Sequence, residues 1–221
     1  MKIVLRIGGS VLGSPPNPAL LEEYSGVVLE LTSTGNSLAV IVGGGPISRE
    51  YIKSANELHL SPFQQDTIAI YASRLNAKLV AMKLGGVSSI PTSTESLVQR
   101  LSRNKVAVMG GLKPGITTDT VAAMVAKQWG ADVVIKGSDQ EGIYTSDPRT
   151  DKRAKKLSRI SHQRMESLLG GEHRPGIHSI IDPVAVHYMA ESGVKIVVLN
   201  GRRPRNIIRA VRGENVGTVV S

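Results

Sequence analysis

The sequence predicts an α/β fold, a three-layer αβα sandwich with a mainly parallel central sheet. Two observations carry that expectation. Short Val- and Ile-rich runs that are apolar at nearly every position alternate with longer amphipathic stretches. Runs of that kind are strands buried on both faces, and they need helices above and below. The runs also end in or beside glycine, at the carboxyl ends where such sheets bind ligands.

In chain order, KIVLRI (2–7) predicts the first strand and runs into the glycines of RIGGS; a helix is expected over 19–33. SLAVIV (37–42) predicts the second strand, followed by a glycine triplet and a helix over 47–59. The stretch 63–84 predicts a long helix with apolar residues on more than one face, one stripe for the sheet and a second for a twin in another subunit. A helix over 94–103 precedes the strand KVAVMG (105–110). A Gly/Pro loop then ends in Thr117, Thr118 and Asp119 at the start of a helix over 118–129, where Thr is a good N-cap and Asp complements the dipole. Trp129 closes that helix and reads as a core residue. DVVIKG (132–137) predicts a fourth strand, and 141–156 reads as a hairpin followed by an exposed loop, a second lobe over the sheet edge. Helices over 162–169 and 183–192, the strand KIVVLN (195–200) and a helix over 204–212 complete the chain.

Composition narrows the function classes. With 221 residues, 41% hydrophobic and 20% charged, the chain reads as an ordinary globular protein of one large domain or two small ones. No run approaches the ~20 apolar residues of a membrane span, and MKIVLRIGGS reaches Gly and Ser too early for a signal peptide, so a cytoplasmic address is expected. The absence of cysteine removes disulfides and thiolate metal sites. The histidines at 59, 162, 173, 178 and 187 show no metal spacing and read as surface or packing residues. The net charge of +9 suits a polyanion, either nucleic acid or a phosphorylated small molecule. An aromatic content of 3% leaves few stacking platforms for single strands, and no nucleic-acid motif is recognisable, so nucleic acid is the less expected partner.

Four turns could carry chemistry: Arg6 to Ser10, Gly43 to Gly45 with Arg49 and Asp66 downstream, the loop 110–120, and KGSDQEGIYTSDP (136–148). Glycine turns let backbone N–H groups approach a ligand that any Cβ would exclude, and a following helix aims its amides and dipole at the same anion. Several such turns at one sheet edge, with Arg and Lys among them, describe a site for phosphate groups in line. Phosphoryl transfer needs that arrangement, since its catalysis rests on positioning and on cations or N–H donors aimed at the migrating group. No Gly-Lys dipeptide exists for a Walker A loop, and no G-x-G-x-x-G fingerprint is present.

The order KIVLRIGGS, VIVGGG, TTD, KGS, EGIYTSDP, IIDPVAV, VVLNG and GTVV resembles the amino acid kinase family, and within it the archaeal-type uridylate kinases, from Lys2 to Val220. The resemblance implies one amino acid kinase domain over 1–221, with an acceptor side over about 1–130 and an ATP side over about 131–221. It implies transfer from ATP to UMP, giving UDP and ADP, with Mg²⁺ held mainly by the nucleotide phosphates and no protein metal ligand. By position, it assigns Gly9, Ser10, Gly45 and Arg49 to the ATP phosphates and Ser138, Tyr144 and Asp147 to the adenosine pocket. It assigns Gly44, Asp66, Pro114, Gly115, Ile116, Thr117, Thr118, Asp119 and Thr120 to UMP, and Asp119, Arg6 and Lys136 to catalysis, Asp119 as an organising carboxylate. Two departures from the family stand out: Arg6 where Lys is common, and Glu141 where Asp is usual. The resemblance also implies a homo-oligomer, a hexamer built from dimers. Two other classes compete: a kinase of the same fold acting on another small phosphate or carboxylate, and a non-catalytic nucleotide-binding or nucleic-acid-binding regulator.

Overall fold

The computed structural model describes residues 1–86, 89–170 and 181–221; His173 and His178 lie outside them. Seven strands form one sheet in the order β3-β2-β1-β4-β6-β7-β5. These are β1 (Lys2–Ile7), β2 (Ser37–Val42), β3 (Val106–Met109), β4 (Val133–Ser138), β5 (Arg159–Ile160), β6 (Lys195–Asn200) and β7 (Gly217–Val220). All pairings are parallel except β6 with β7. The five expected strands are present, β3 a residue shorter at each end and β4 shifted by one, from 132–137 to 133–138.

The helices are α1 (Gly9–Leu12), α2 (Pro18–Ser33), α3 (Gly45–Glu57), α4 (Pro62–Lys83), α5 (Thr94–Leu101), α6 (Thr118–Trp129), α7 (His162–Gly170), α8 (Pro183–Ser192) and α9 (Arg205–Val211). Alternation along the strands decides which helices cover which face. Val4, Ile41, Met109, Val134 and Val198 pack with α5, α6, α7 and α8, while Ile3, Leu5, Val40, Ile135 and Leu199 pack with α1, α2, α4 and α9. Trp129 packs, half-buried, against the first of these cores, as expected. Phe63, Tyr71, Leu75, Leu79 and Met82 of α4 stay exposed, the second apolar stripe of that helix. No described helix is long and apolar enough to cross a membrane.

Four elements differ from the sequence expectation. β7 and β5 are short, and β5 is polar around Arg159, so neither carries a period-2 signal; the edge of β6 recruits β7 by backbone pairing, and β7 in turn recruits β5. α1 is a single turn directly after β1. The hairpin of 141–156 encloses its exposed stretch instead of preceding it: Leu157 N donates to Ile143 O at 2.8 Å and Thr145 N to Lys155 O at 3.0 Å. The tip between those arms is organised locally by Asp147 and Asp151, which accept from the backbone N–H of Arg149 and Arg153. The fully buried Thr218 ties the hairpin to β7, its hydroxyl accepting from Ile143 N at 2.8 Å and donating to Leu157 O.

Candidate active site

Strand order reverses around β1: β2 and β3 lie on one side, β4 and β6 on the other. Ligand sites of open α/β sheets form at such a switch point, beyond the carboxyl ends. The register pairs Arg6 directly with Lys136. Both continue the stripe of Val4 and Val134 on the α6 face, so one face of adjacent strands turns from apolar to cationic at its carboxyl end.

Asp119, in the first turn of α6, lies between the two cations. Arg6 Nε is 2.8 Å from its Oδ1, and Lys136 Nζ donates to its Oδ2. Arg6 also donates from Nη2 to Thr118 Oγ1 at 3.0 Å. Burial pushes the Asp119 carboxyl up, but Arg6 and Lys136 together outweigh it and hold the group below the usual carboxylate range. Burial pulls the Lys136 ammonium down to about 8, with Asp119 opposing the fall and Arg6 adding to it. Asp119 Oδ1 and Arg6 Nε, though close, are misaligned and complete no hydrogen bond. Hydrogen-bonding capacity is thus left over at the centre of a charged, buried triad.

These values set a pH dependence. Lys136 is charged below about 8, so kcat/KM should fall as pH rises through that value, because kcat/KM reports the free enzyme. Stability moves the other way. The folded value lies below the ordinary 10.5, so between about 8 and 10.5 the unfolded chain binds the extra proton and Lys136 makes folding more favourable with rising pH. Initial rates and denaturant midpoints over pH 6.5–10 check both signs, and a rate flat through pH 9 would contradict the assignment.

The turn 8–10 and the triplet 43–45 meet back to back. Gly43 N donates to Ile7 O and Gly8 N to Gly137 O, each at 3.0 Å. A Cβ on Gly9 would overlap the Gly45 backbone, and one on Gly45, at φ +66, would overlap Gly9. α2, α4, α5, α6 and α8 have side-chain caps, whereas α1 and α3, which open from these two turns, have none; α9, away from the turns, also lacks one. Uncapped N-terminal amides seek an external acceptor, and an anion supplies it.

Beside the triplet lies a pocket of about 350 Å³ lined by Gly44, Ser48, Asp66, Ala69, Ile70, Ser73, Gly111, Lys113, Gly115, Ile116, Thr117 and Thr118. Most residues expected on the acceptor side therefore share one cavity. Pro114 belongs to the same loop without lining the cavity, and Asp119 lies behind it, next to Arg6. Thr120 is buried, its hydroxyl committed to Asp182 Oδ2 at 2.5 Å. Ser10 is half-buried in α1, and Arg49 projects exposed from α3 with no ion pair among the described residues. Ser138 is buried at the end of β4 and accepts from Gln140 N at 3.2 Å. Tyr144 and Asp147 lie on the hairpin, outside the cavity, and the Asp147 carboxylate accepts three hydrogen bonds from Arg149.

Of the residues that hold the turns, sequence reasoning named Asp66 and missed the others. Asn76 donates to Gly43 O and Gly44 O, both at 3.0 Å, so the triplet's carbonyls are drawn back into the fold. Ser73 Oγ accepts from Gly111 N at 2.7 Å, and Arg74 donates to Gly111 O and Leu112 O. Asp66 accepts from Gly115 N at 2.8 Å. Asp182, the N-cap of α8, accepts from Thr117 Oγ1 at 2.7 Å as well as from Thr120. The available signal was in α4: Asp66, Ser73 and Asn76 interrupt at helical spacing the stripe that continues to Ala77 and Val80.

Residues 1–200 match the amino acid kinase family. The chain belongs to the amino acid kinase family. It is 38% identical to a uridylate kinase of Archaeoglobus fulgidus, with all of both chains covered, and 36% identical to one of Hyperthermus butylicus, covering 99% of this chain and 97% of that one. A crystal structure of uridylate kinase from Archaeoglobus fulgidus superposes with a TM-score of 0.91 at 36% identity over the full length of both chains. The fold expectation of a mainly parallel αβα sandwich of amino acid kinase type thus holds.

Proposed function

We propose that this chain is an ATP-dependent UMP kinase of pyrimidine nucleotide biosynthesis, making UDP and ADP in the cytoplasm. The single observation that carries this reading is the buried Arg6–Asp119–Lys136 triad, set where the two glycine turns meet the 350 Å³ pocket. Full-length similarity to uridylate kinases selects the acceptor.

In this reading the first 130 residues or so hold UMP and the remainder serves ATP. UMP occupies the pocket, its phosphate toward Gly44 and the start of α6 and its ribose hydroxyls on Asp66, whose second carboxylate oxygen has no partner among the described residues. ATP lies over Gly9, Ser10 and Gly45, with Arg49 beside its phosphates, and its adenosine extends toward Ser138, Tyr144 and Asp147. A UMP phosphate oxygen attacks the γ-phosphorus, an O–P bond forms as the bond to the ADP oxygen breaks, and that electron pair leaves with ADP. The attacking oxygen is already anionic, so no general base is needed. Arg6 and Lys136 neutralise charge on the migrating group, while Asp119 fixes both cations before substrate arrives.

Both oxygens of Asp119 face cations, so this carboxylate is committed to Arg6 and Lys136. These residues fit a Mg²⁺ carried by the nucleotide phosphates, where it would supply charge neutralisation. The exposed stripe of α4, repeating at i and i+4, supports a homo-oligomer paired along this helix, and the family resemblance extends that pairing to a hexamer built from dimers.

An acceptor screen tests the substrate. With ATP and Mg²⁺, ADP release should be fast with UMP and slow with CMP, AMP, GMP, isopentenyl phosphate and acetylglutamate. Equal or faster turnover with another acceptor would overturn the assignment.

A further inference from the structure

The second face of the sheet contains one large polar side chain beneath the site. Tyr24 of α2 is 2% exposed among Ile7, Leu21, Val28 and other apolar neighbours, where a phenylalanine would pack equally well. A buried hydroxyl is costly unless it is bonded. This one donates to Gly201 O at 2.7 Å, and burial pushes its pKa well above the ordinary value, so it remains a donor across the working pH range.

The bond fixes the turn after β6. Gly201 and Gly137 approach so closely that a Cβ on Gly201 would sit 2.9 Å from both Gly137 Cα and the Tyr24 hydroxyl oxygen. Gly201 N donates to Ser138 O at 2.7 Å, while Gly137 O accepts from Gly8 N. The Gly201 carbonyl points down to Tyr24, and the N–H of the same peptide, on Arg202, donates to Asn200 Oδ1 at 2.9 Å. Asn200 Nδ2 donates in turn to Glu141 Oε1 at 2.8 Å, and Arg203 Nη1 lies 3.5 Å from the same oxygen. The register pairs Asn200 with Ser138, so the network sits beside the end of β4 on the face that carries Lys136.

We propose that Tyr24 and Asn200 are positioning residues for the donor nucleotide: a hydrogen-bonded chain from the buried Tyr24 hydroxyl through the Gly201–Arg202 peptide and Asn200 to Glu141 fixes the 138–142 turn. The longer Glu141 side chain is what spans from that turn to Asn200 and Arg203. Tyr24 and Asn200 touch no nucleotide themselves and act through the turn. The inference rests on the reading of this edge as the donor half of the site.

Calorimetric titration with the non-hydrolysable analogue of Mg-ATP, and separately with UMP, tests it on Tyr24→Phe, Asn200→Ala and the double variant. Each hydrogen bond contributes about 1 kcal/mol, so each single variant should weaken the ATP analogue about 5- to 10-fold and change UMP affinity less than about 2-fold. The double variant should be little worse than the weaker single, because both act on one chain of bonds. Unchanged analogue affinity in both singles overturns the proposal, as does equal weakening of both ligands with a lowered Tm, the signature of a merely structural role. Should the unmodified protein bind the analogue yet fail to phosphorylate UMP, the acceptor assignment falls while the positioning claim is still decided by the analogue titrations.

Discussion

Asp119→Asn lowers turnover by about 10²-fold or more and moves the basic limb of the pH profile to lower pH. In the proposed reading the first effect follows from preorganisation: one carboxylate holds the two cations that would meet the migrating phosphoryl group, and losing one preorganised donor in such a site costs about 10²–10³ in rate. The second is specific to this geometry. Lys136 is pulled down by burial and by Arg6, and Asp119 is the main group opposing them. Removing that charge drops the ammonium below about 8, so part of the enzyme is uncharged at neutral pH. Breaking a buried pair also costs about 3–5 kcal/mol because the remaining charges are uncompensated. Rates must therefore be read well below the variant's denaturation midpoint, with nucleotide titrations to confirm a folded site. Unchanged turnover, or a limb that does not move, would remove Asp119 from its organising role.

Gly9→Ala and Gly45→Ala should each reduce turnover about 10²-fold, since a displacement of about 1 Å at the reacting groups has that effect. Each should also destabilise the chain by about 2–5 kcal/mol, combining overpacking with backbone strain. The cause at Gly9 is overlap alone, because the residue opens α1; at Gly45 the positive φ adds strain. Gly35→Ala separates these contributions: its φ is +87 but nothing lies within 4 Å of a Cβ there. That control should cost only about 1–2 kcal/mol, the penalty for a left-handed residue, and leave turnover intact. Denaturant unfolding and steady-state rates on the three variants decide the matter. If Gly45→Ala matches Gly35→Ala in both, close approach of the two turns is not what the glycines are for.

Much of this protein was legible in the chain. The five expected strands were readable because apolar residues at successive positions suit strands covered on both sides, as at Ile3 to Leu5 and Leu38 to Val42. The glycine turns and the start of α6 were readable because backbone freedom and N-capping are local properties that residue type announces. Arg6, Asp119 and Lys136 were assigned as a set through resemblance, and the pairing of β1 with β4 supplies the physical basis for their meeting.

The supporting layer was not legible, for a single reason: its bonds join residues far apart in sequence. Asn76 reaches Gly43 and Gly44 from α4, Asp182 gathers Thr117 and Thr120, and Tyr24 bonds to Gly201 from the opposite end of the chain. The local patterns present, polar breaks in the α4 stripe at Asn76 and an N-cap at Asp182, do not name a partner, and a Tyr within a helix looks like packing until its partner is known. β5 and β7 are illegible for a similar reason, because β7 is placed by the β6 edge and β5 by β7, and not by their own propensity. The sequence alone therefore determined the layers, the turns and the types of charge available to them. Only the tertiary structure decided which carbonyls are held back and which amides are left free, because strand order and register set those distances.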